Sequence, residues 1–403
     1  MNGRTTFAAG QPSLLRAINE RSVLELIRSG GTTSRAQIAR QSGLSKPTVS
    51  LALTGLIGSG LVCEVGKSTG RKGPSAVLYE LNPRAGFVVG IDVGRQYLRV
   101  ALANIAGQII ARRDERAMSR SSGALVRQIG ELAHRVAADA GLRWPEVTEA
   151  VVGNPGVLDP SRGQLAHVPN LPGWGRQGLV EAIREQLGTS VSFENDVNLA
   201  ALGEQAHGLG RHVPTFVYLW IGTGVGMGLV LDGNLYRGVG GAAGEIGYLP
   251  VGVGDPHDPA NRRRGVLEES LGAAAIVRLG REQGMRPPLT PKRIFAAARR
   301  GDPVAGAVVE EVARRIALAI AAVAPVVDPG LVILGGGIAH SGDLLLRPIS
   351  AELRRISPFR PELAASELGD DAVLLGAVAT ALDAAQERLF SRSPDNDRLE
   401  IVV

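Results

Sequence analysis

The sequence predicts an α/β protein in which a small N-terminal helix-turn-helix domain with a β-hairpin wing precedes a larger, two-lobed body. Three observations support this prediction. The chain of 403 residues exceeds the size of a single small hydrophobic core. Two short helical patterns joined by a glycine, followed by a basic hairpin, lie within residues 1–84. Farther along, two strand–glycine turn–strand units, each followed by helical segments, indicate a duplicated fold.

Composition limits the class of protein. Hydrophobic residues make up 44% of the chain and charged residues 21%, as in ordinary globular proteins. Because the N-terminus lacks an apolar signal sequence and glycines interrupt the longest uncharged run, 215–231, we expect a cytoplasmic protein with no membrane contact. Cys63 is the single cysteine, which excludes an internal disulfide or a cysteine metal cluster.

The charge is distributed unevenly along the chain. Residues 1–84 contain 11 Lys and Arg against 4 Asp and Glu, whereas the remainder contains 33 against 35. A basic excess confined to one domain is what phosphate backbones attract, through the release of counterions. A solvated basic face with no partner is the alternative interpretation.

The apolar spacing over 13–29 predicts a first helix. Ser34 is expected to cap a second helix, Gly43 to make the turn after it, and Ser45 to cap a third helix with Pro47 in its first turn. In a helix-turn-helix the first turn of this third helix enters the major groove. The predicted DNA-binding residues here are Ser34, Ser45, Lys46, Pro47, Thr48 and Ser50.

A basic hairpin follows the third helix. The pattern predicts its two strands at residues 61–65 and 76–81. Between them lies a loop, 66–75, that is rich in glycine and basic residues. Arg71 and Lys72 at the loop tip suit the minor groove, whose negative potential attracts arginine. The alternative is a helical oligomerisation cap carrying a basic hairpin.

Glycine turns recur at strand ends in the body. The buried strand 87–94 contains the carboxylate of Asp92, and similar turns lie at Gly222–Gly226 and Gly335–Gly337. Backbone N–H groups in such turns can hold phosphate, although tight hairpins also need glycine.

Carboxylates stand where a sugar site would need them. Asp196 lies at a strand end before a helix, where it could deprotonate a sugar hydroxyl or simply cap the helix. Glu245 and Glu268 occupy loop or helix-start positions. Carboxylates and amides bind sugar hydroxyls well because they can form several hydrogen bonds.

Taken in order, these motifs resemble those of the sugar-responsive repressor–kinase family called ROK, in the regulator branch that includes xylose and N-acetylglucosamine repressors. The resemblance covers essentially the whole chain and implies an actin-like ATPase fold (ribonuclease H-like), of the sugar-kinase type, with two lobes around a cleft. Beyond the helix-turn-helix, the matching motifs are Gly70–Pro74, Leu81–Pro83, Asp92–Gly94, Gly153–Gly156, Pro169–Leu171 with Trp174, Glu194–Asp196, Gly222–Gly226, Gly244–Gly247, Gly265–Glu268 and Leu334–Gly337.

The resemblance also implies residue roles. The sugar effector would be bound by Asn170, Asn195, Asp196, Glu245, Tyr248 and Glu268. A vestigial phosphate site would comprise Asp92, Gly94, Thr223 and Gly224. Asp196 matches the general base of the family's kinases. If the chain is a kinase, Asp196 would be its catalytic base; for a regulator we expect no catalytic residue.

Departures from the family pattern fall on the nucleotide side and at the zinc site. Arg95 and Gln96 replace a Gly-Thr pair after the first phosphate motif, and Met227 is expected to thicken the second glycine turn. Tyr248 stands at the family's zinc-binding His, and Val266 at the last Cys. We therefore expect no zinc and no other cofactor.

A histidine between two aspartates offers an alternative metal site. His257 lies between Asp255 and Asp258, but a surface loop explains this segment better, so we expect no bound metal.

The predicted domains are 1–84 and 85–403, with lobe one at about 85–195 plus a C-terminal helix at about 371–390, and lobe two at about 196–370. We expect a repressor of carbohydrate uptake or metabolism genes that binds a palindromic double-stranded DNA operator as a homodimer or tetramer. A sugar or sugar phosphate would modulate it. The alternatives are a bifunctional ATP-dependent sugar kinase with Asp196 as base, and activation in place of repression.

Overall fold

A computed structural model describes residues 12–67, 75–118, 121–159, 163–166, 173–252 and 254–391. At the N-terminus three helices pack against a three-stranded sheet with strand order β1-β3-β2. Their shared core includes Val23, Ile27, Ile38, Val49 and Leu53. The elements are α1 (Pro12–Gly30), β1 (Thr33–Ser34), α2 (Arg35–Ser42), α3 (Lys46–Gly58), β2 (Val62–Lys67) and β3 (Val77–Leu81).

The helices and the two hairpin strands of this domain lie where the sequence predicted them, an arrangement consistent with a winged helix-turn-helix. Gly43 has φ 71° after α2, a left-handed conformation that favours glycine, and this redirects the chain into α3. Strand β1, the third strand of this sheet, was not predicted from the sequence. Its two residues, Thr33 and Ser34, pair with Tyr79 and Leu78 and join the helices to the wing.

Lobe one contains a five-stranded mixed sheet with strand order β10-β7-β4-β5-β6. Helices α4 and α5 pack against it, and a small hairpin, β8–β9, stands beside it. The elements are β4 (Phe87–Val93), β5 (Tyr97–Asn104), β6 (Ile109–Arg116), α4 (Ser122–Asp139), β7 (Val147–Asn154), β8 (Val157–Asp159), β9 (Gln164–Ala166), α5 (Leu179–Leu187) and β10 (Ser190–Asn195).

Lobe two repeats the pattern with a sheet ordered β13-β12-β11-β14-β15 and its own apolar core. The elements are β11 (Phe216–Ile221), β12 (Val225–Leu231), β13 (Asn234–Leu235), α7 (Pro259–Arg264), α8 (Val266–Leu271), α9 (Ala273–Glu282), α10 (Pro291–Arg299), α11 (Pro303–Val327), β14 (Leu331–Gly335), α12 (Gly342–Ile356) and β15 (Glu362–Ala365). The two sheets confirm the duplicated, two-lobed α/β fold.

Two helices lie between the sheets, α6 (Asp196–His207) and α13 (Ala372–Ser391). They share a buried core with residues of both lobes, including Val151 and Tyr218. Their backbones approach so closely that a Cβ at Gly376 would lie 1.8 Å from the carbonyl oxygen of Leu199. These helices therefore connect the lobes through close packing.

In the part of the chain described here, no helix combines the length and apolar character needed to cross a bilayer.

Candidate functional site

The first turn of α3 is built by hydroxyl capping. The Ser45 hydroxyl accepts a hydrogen bond from the Thr48 backbone N–H at 3.3 Å and lies 2.7 Å from the Thr48 hydroxyl. Lys46 and Pro47 are exposed in the same turn. Ser50 follows, its hydroxyl donating to the Lys46 carbonyl at 2.9 Å. Five of the six DNA-binding residues predicted on the helices of this domain therefore share the start of α3.

The sixth predicted residue, Ser34, lies at the start of α2, where its hydroxyl accepts a hydrogen bond from the Gln37 backbone N–H at 3.4 Å. It thus caps the helix, as the sequence predicted. Arg71 and Lys72 of the wing tip, and Asn170 of the predicted sugar site, lie outside the described residues.

A cleft of about 370 Å³ opens between the lobes. It lies where strands β4 and β10 of lobe one and the β11–β12 turn of lobe two end near one another. The cleft is lined by most of the residues predicted for the sugar and phosphate sites: Asp92, Gly94, Asn195, Asp196, Thr223, Gly224, Glu245, Tyr248 and Glu268.

Asn195, and not Asp196, caps helix α6. The Asn195 side-chain oxygen accepts hydrogen bonds from the backbone N–H groups of Val197 at 2.9 Å and Asn198 at 3.1 Å. Its amide nitrogen donates to the Gly156 carbonyl at 3.2 Å. The capping role considered for Asp196 is therefore taken by its neighbour, which leaves the Asp196 carboxylate at the cleft wall.

The Asp196 carboxyl is unusually hard to ionise. Burial and the neighbouring Asp92 carboxylate raise the pKa of Asp196 to about 7, although one oxygen accepts the Val197 backbone N–H at 2.9 Å. A carboxyl that titrates near neutrality can accept a hydroxyl proton or donate its own.

Glu268 presents an unused acceptor. Its Oε2 accepts the Val225 backbone N–H at 3.2 Å, whereas Oε1 is buried without a hydrogen-bond partner, 3.8 Å from the Arg264 Nε. Burial raises the pKa of Glu268. A buried, unsatisfied acceptor is costly unless a ligand completes it, and a sugar hydroxyl has the matching donor.

Tyr248 stands at the cleft rim next to Glu245. Its hydroxyl donates to the Arg263 carbonyl at 3.3 Å, and burial together with the Glu245 charge raises the pKa of Tyr248. Glu245 precedes the short 3₁₀ turn Ile246–Tyr248, so both side chains are carried by one rigid segment.

A largely buried arginine pairs with the carboxylate of the first glycine motif. The Arg99 Nη1 donates to the Asp92 Oδ2 at 2.8 Å, and both side chains are largely buried. Burial nevertheless raises the pKa of Asp92 to about 6, because it outweighs the lowering by Arg99. The carboxylate of the first phosphate motif thus already has a cationic partner.

The second glycine turn is tight and covered by an indole. Gly222 donates its N–H to the Gly224 carbonyl at 2.9 Å. A Cβ at Gly222 would lie 2.8 Å from the Trp220 Nε1, and one at Gly336 would lie 3.1 Å from the Trp220 Cδ2. Trp220 therefore lies against both glycine turns.

Met227 follows the second glycine turn in strand β12. Its side chain is buried in the apolar core of lobe two, and the residue also contributes to the cleft lining.

The residues do not fit the zinc site of the family. Tyr248 presents a hydroxyl already bonded to a carbonyl, and Cys63 lies far away in strand β2. Within the described ranges, no group of three or more His, Cys, Asp or Glu side chains could hold a metal ion. In the alternative loop site, the Asp255 carboxylate accepts the His257 backbone N–H at 2.9 Å.

Arg99 and Trp220 are among the cleft residues that were absent from the predicted site. Arg99 faces Asp92 directly across the β4–β5 hairpin, so the hairpin register contained the information needed to find it. Trp220 lies two residues before the second glycine turn, but only the fold shows that its indole also reaches the third.

Comparisons with known proteins point to one family. Residues 88–384 match the model of the ROK family. The chain is 28% identical over 392 residues to the xylose repressor of Caldicellulosiruptor bescii, covering 93% of this chain and 97% of that protein. It is 31% identical over 315 residues to the glucokinase of Thermotoga maritima, covering 72% of this chain and 96% of that protein.

The fold agrees with a solved structure as well. A ROK family transcriptional regulator, described as a homologue of the Escherichia coli MLC protein, superposes with a TM-score of 0.76 at 23% identity, covering 94% of this chain and 98% of that one. With a family model that spans most of the chain and a two-lobed fold around a carboxylate-lined cleft, the protein belongs to the ROK family.

Proposed function

We propose that the protein is a DNA-binding transcriptional repressor whose affinity for its operator is set by a sugar bound between the lobes. The observation that carries the proposal is the exposed first turn of α3, with Lys46 and Pro47 at its surface, in a folded domain that has a basic excess. The similarity to a xylose repressor supports it, because that alignment covers 93% of the chain, whereas the glucokinase alignment covers 72%.

The cleft supplies a binding site for the effector. Asp196 and Glu268, whose Oε1 is buried without a hydrogen bond, both line a cavity large enough for one sugar. Each would accept a hydrogen bond from a sugar hydroxyl. The effector is therefore a neutral polyhydroxyl compound or its phosphate, held mainly by carboxylates.

Helices α6 and α13 provide a route from the cleft to the DNA-binding domain. Asp196 begins α6, and α6 packs closely on α13. The far half of α13 forms ion pairs with α1, from Arg28 to Asp383 at 2.6 Å and from Arg21 to Glu387. A shift of α6 on sugar binding would thus reach α1 and change the placement of the winged helix.

A charge exchange tests this route. Asp383→Arg places two like charges at the α1–α13 contact, and we expect it to reduce the sugar-dependent change in operator affinity about five-fold. An exposed pair contributes at most about 1 kcal/mol, which corresponds to this factor. The double variant Arg28→Asp/Asp383→Arg should restore the change. Fluorescence anisotropy with a labelled operator, with and without sugar, measures both.

The measurements distinguish a loss of the sugar response from a general loss of operator binding. If the single variant weakens operator binding equally with and without sugar, the contact is structural and the route is wrong. Exchange of Arg299 and Asp343, a comparable surface pair remote from α1, serves as the matched control and should leave the sugar response unchanged.

The operator is expected to be palindromic and bound by a homodimer, with half-sites one helical turn or a multiple apart. In vitro selection from a random duplex pool at moderate salt tests DNA binding, and a thermal-shift screen of sugars, sugar phosphates and N-acetyl sugars tests the effector. Failure to enrich any duplex would overturn the proposed function.

A sugar kinase is the second candidate, favoured by the retained Asp196 with its pKa near neutrality. Against it stand Arg99, which already pairs with Asp92, and Trp220, which covers the glycine turns. We therefore expect no ADP release above background in a coupled assay over a sugar panel. Turnover that disappears in Asp196→Asn would contradict this expectation and identify a kinase.

A further inference from the structure

The outward face of α3 carries an apolar side chain where a DNA reader usually presents polar groups. Leu51 is 54% exposed, although its helix buries Val49, Ala52, Leu53 and Leu56 on the opposite side. Pro47, Leu51, Thr54 and Gly58 follow one another at intervals of four, three and four residues, so they form a single stripe facing away from the core.

The hydroxyls beside Leu51 have their protons engaged. Ser50 donates to the Lys46 carbonyl at 2.9 Å, and Thr54 donates to the Ser50 carbonyl at 2.9 Å. With its proton on a helix carbonyl, each hydroxyl offers only lone pairs outward. Around Leu51 the face therefore combines a large apolar side chain with two hydrogen-bond acceptors.

An apolar side chain next to two hydrogen-bond acceptors matches the major-groove edge of an A·T base pair. In the major groove an A·T pair presents the thymine methyl group and the adenine amino donor, whereas a G·C pair presents the cytosine amino donor but no methyl group. We propose that Leu51 is a specificity-determining residue that contacts a thymine methyl group, while Ser50 or Thr54 accepts a hydrogen bond from the amino group of an adenine. The operator half-site would then have A·T pairs beneath the middle of α3.

The assignment rests on the proposed function, since it requires that α3 enter the major groove. Charge complementarity supports that occupant, because residues 1–84 have seven more basic than acidic side chains and the opposing surface is a polyanion. Lys46 precedes the stripe in the same helix and can pair with a phosphate.

The experiment removes a single methyl group from the DNA. The full-length protein first selects its operator from a random duplex pool, and each thymine of the half-site is then replaced by deoxyuridine. At one thymine per half-site we expect wild-type affinity to fall about four-fold, the equivalent of one buried methylene group. Leu51→Ala should bind the thymine and deoxyuridine operators equally well.

Leu15→Ala is the matched control, because Leu15 is 56% exposed in the same domain but lies on α1. It should retain the full preference for thymine. Thermal unfolding of both variants establishes that they fold as the wild type does. If no thymine is sensitive to deoxyuridine, or if Leu51→Ala keeps the preference, the assignment is wrong although the protein still binds DNA. If no duplex is selected at all, the proposed function itself fails.

Discussion

Replacing Asp196 by Asn is expected to weaken sugar binding strongly while making the protein more stable at neutral pH. A hydrogen bond to a charged group contributes about 1.5–3 kcal/mol, so its loss should weaken sugar binding roughly 10- to 150-fold. The carboxyl is also held in the folded protein at an energetic cost, because burial and Asp92 disfavour its ionised form. Isothermal titration with the sugar and thermal unfolding measure the two effects.

The raised pKa values of two cleft carboxyls determine how the free energy of unfolding depends on pH. In the unfolded chain an aspartate releases its proton near pH 4, whereas the pKa of Asp196 in the folded protein is about 7 and that of Asp92 about 6. The folded state therefore binds more protons between these limits, and the free energy of unfolding falls as pH rises from about 4 to 7. Asp196→Asn should flatten this slope and add roughly 1–3 kcal/mol at pH 8.

Asp343→Asn serves as the control, because it is expected to change stability in the opposite direction. Its hydrogen bonds to Arg299 lower the pKa of Asp343, so the substitution should slightly reduce stability and leave sugar binding unchanged. If Asp196→Asn loses stability at pH 8 as this control does, the account of the cleft carboxyl is wrong.

Gly376→Ala is expected to destabilise the body by about 3 kcal/mol, the upper part of the range for overpacking. The new Cβ would lie 1.8 Å from the Leu199 carbonyl oxygen, which is a backbone atom that cannot move aside alone. Helices α6 and α13 would have to separate, and both lobes share the core beneath them. Thermal unfolding followed by circular dichroism should show a fall in Tm of roughly 6–12 °C.

Gly306→Ala is the matched substitution. Gly306 lies inside α11, and a Cβ there would meet nothing within 4 Å. Higher helix propensity should make this variant up to about 1 kcal/mol more stable. Equal stability of the two alanine variants would contradict the close contact between α6 and α13.

The helix caps, the turn between α2 and α3, and the cleft carboxylates could be predicted from short stretches of sequence. Ser34 and Ser45 cap the helices that the sequence assigned to them, and Gly43 makes the turn, because each feature depends on residues only a few positions apart. The glycine turns and cleft carboxylates were placed by their motifs. Asp92 and Thr223, which are far apart in sequence, line one cleft, as expected for a duplicated fold.

The features that were missed depend on distance in sequence or on competition between neighbours. The Arg28–Asp383 contact joins residues 355 positions apart, and no local pattern indicates it. Asn195 and Asp196 are both good capping residues, and only the backbone geometry shows that Asn195 takes the role. The core position of Met227 likewise follows from strand β12 facing inward at that residue.

The central claim is that occupation of the cleft changes affinity for DNA. The direct test measures the operator dissociation constant of the full-length protein, at fixed salt, with and without a saturating sugar found in the thermal-shift screen. The account predicts a 5- to 150-fold decrease in affinity on adding the sugar, and no such change for Asp196→Asn. Tight sugar binding that leaves operator affinity unchanged would contradict it.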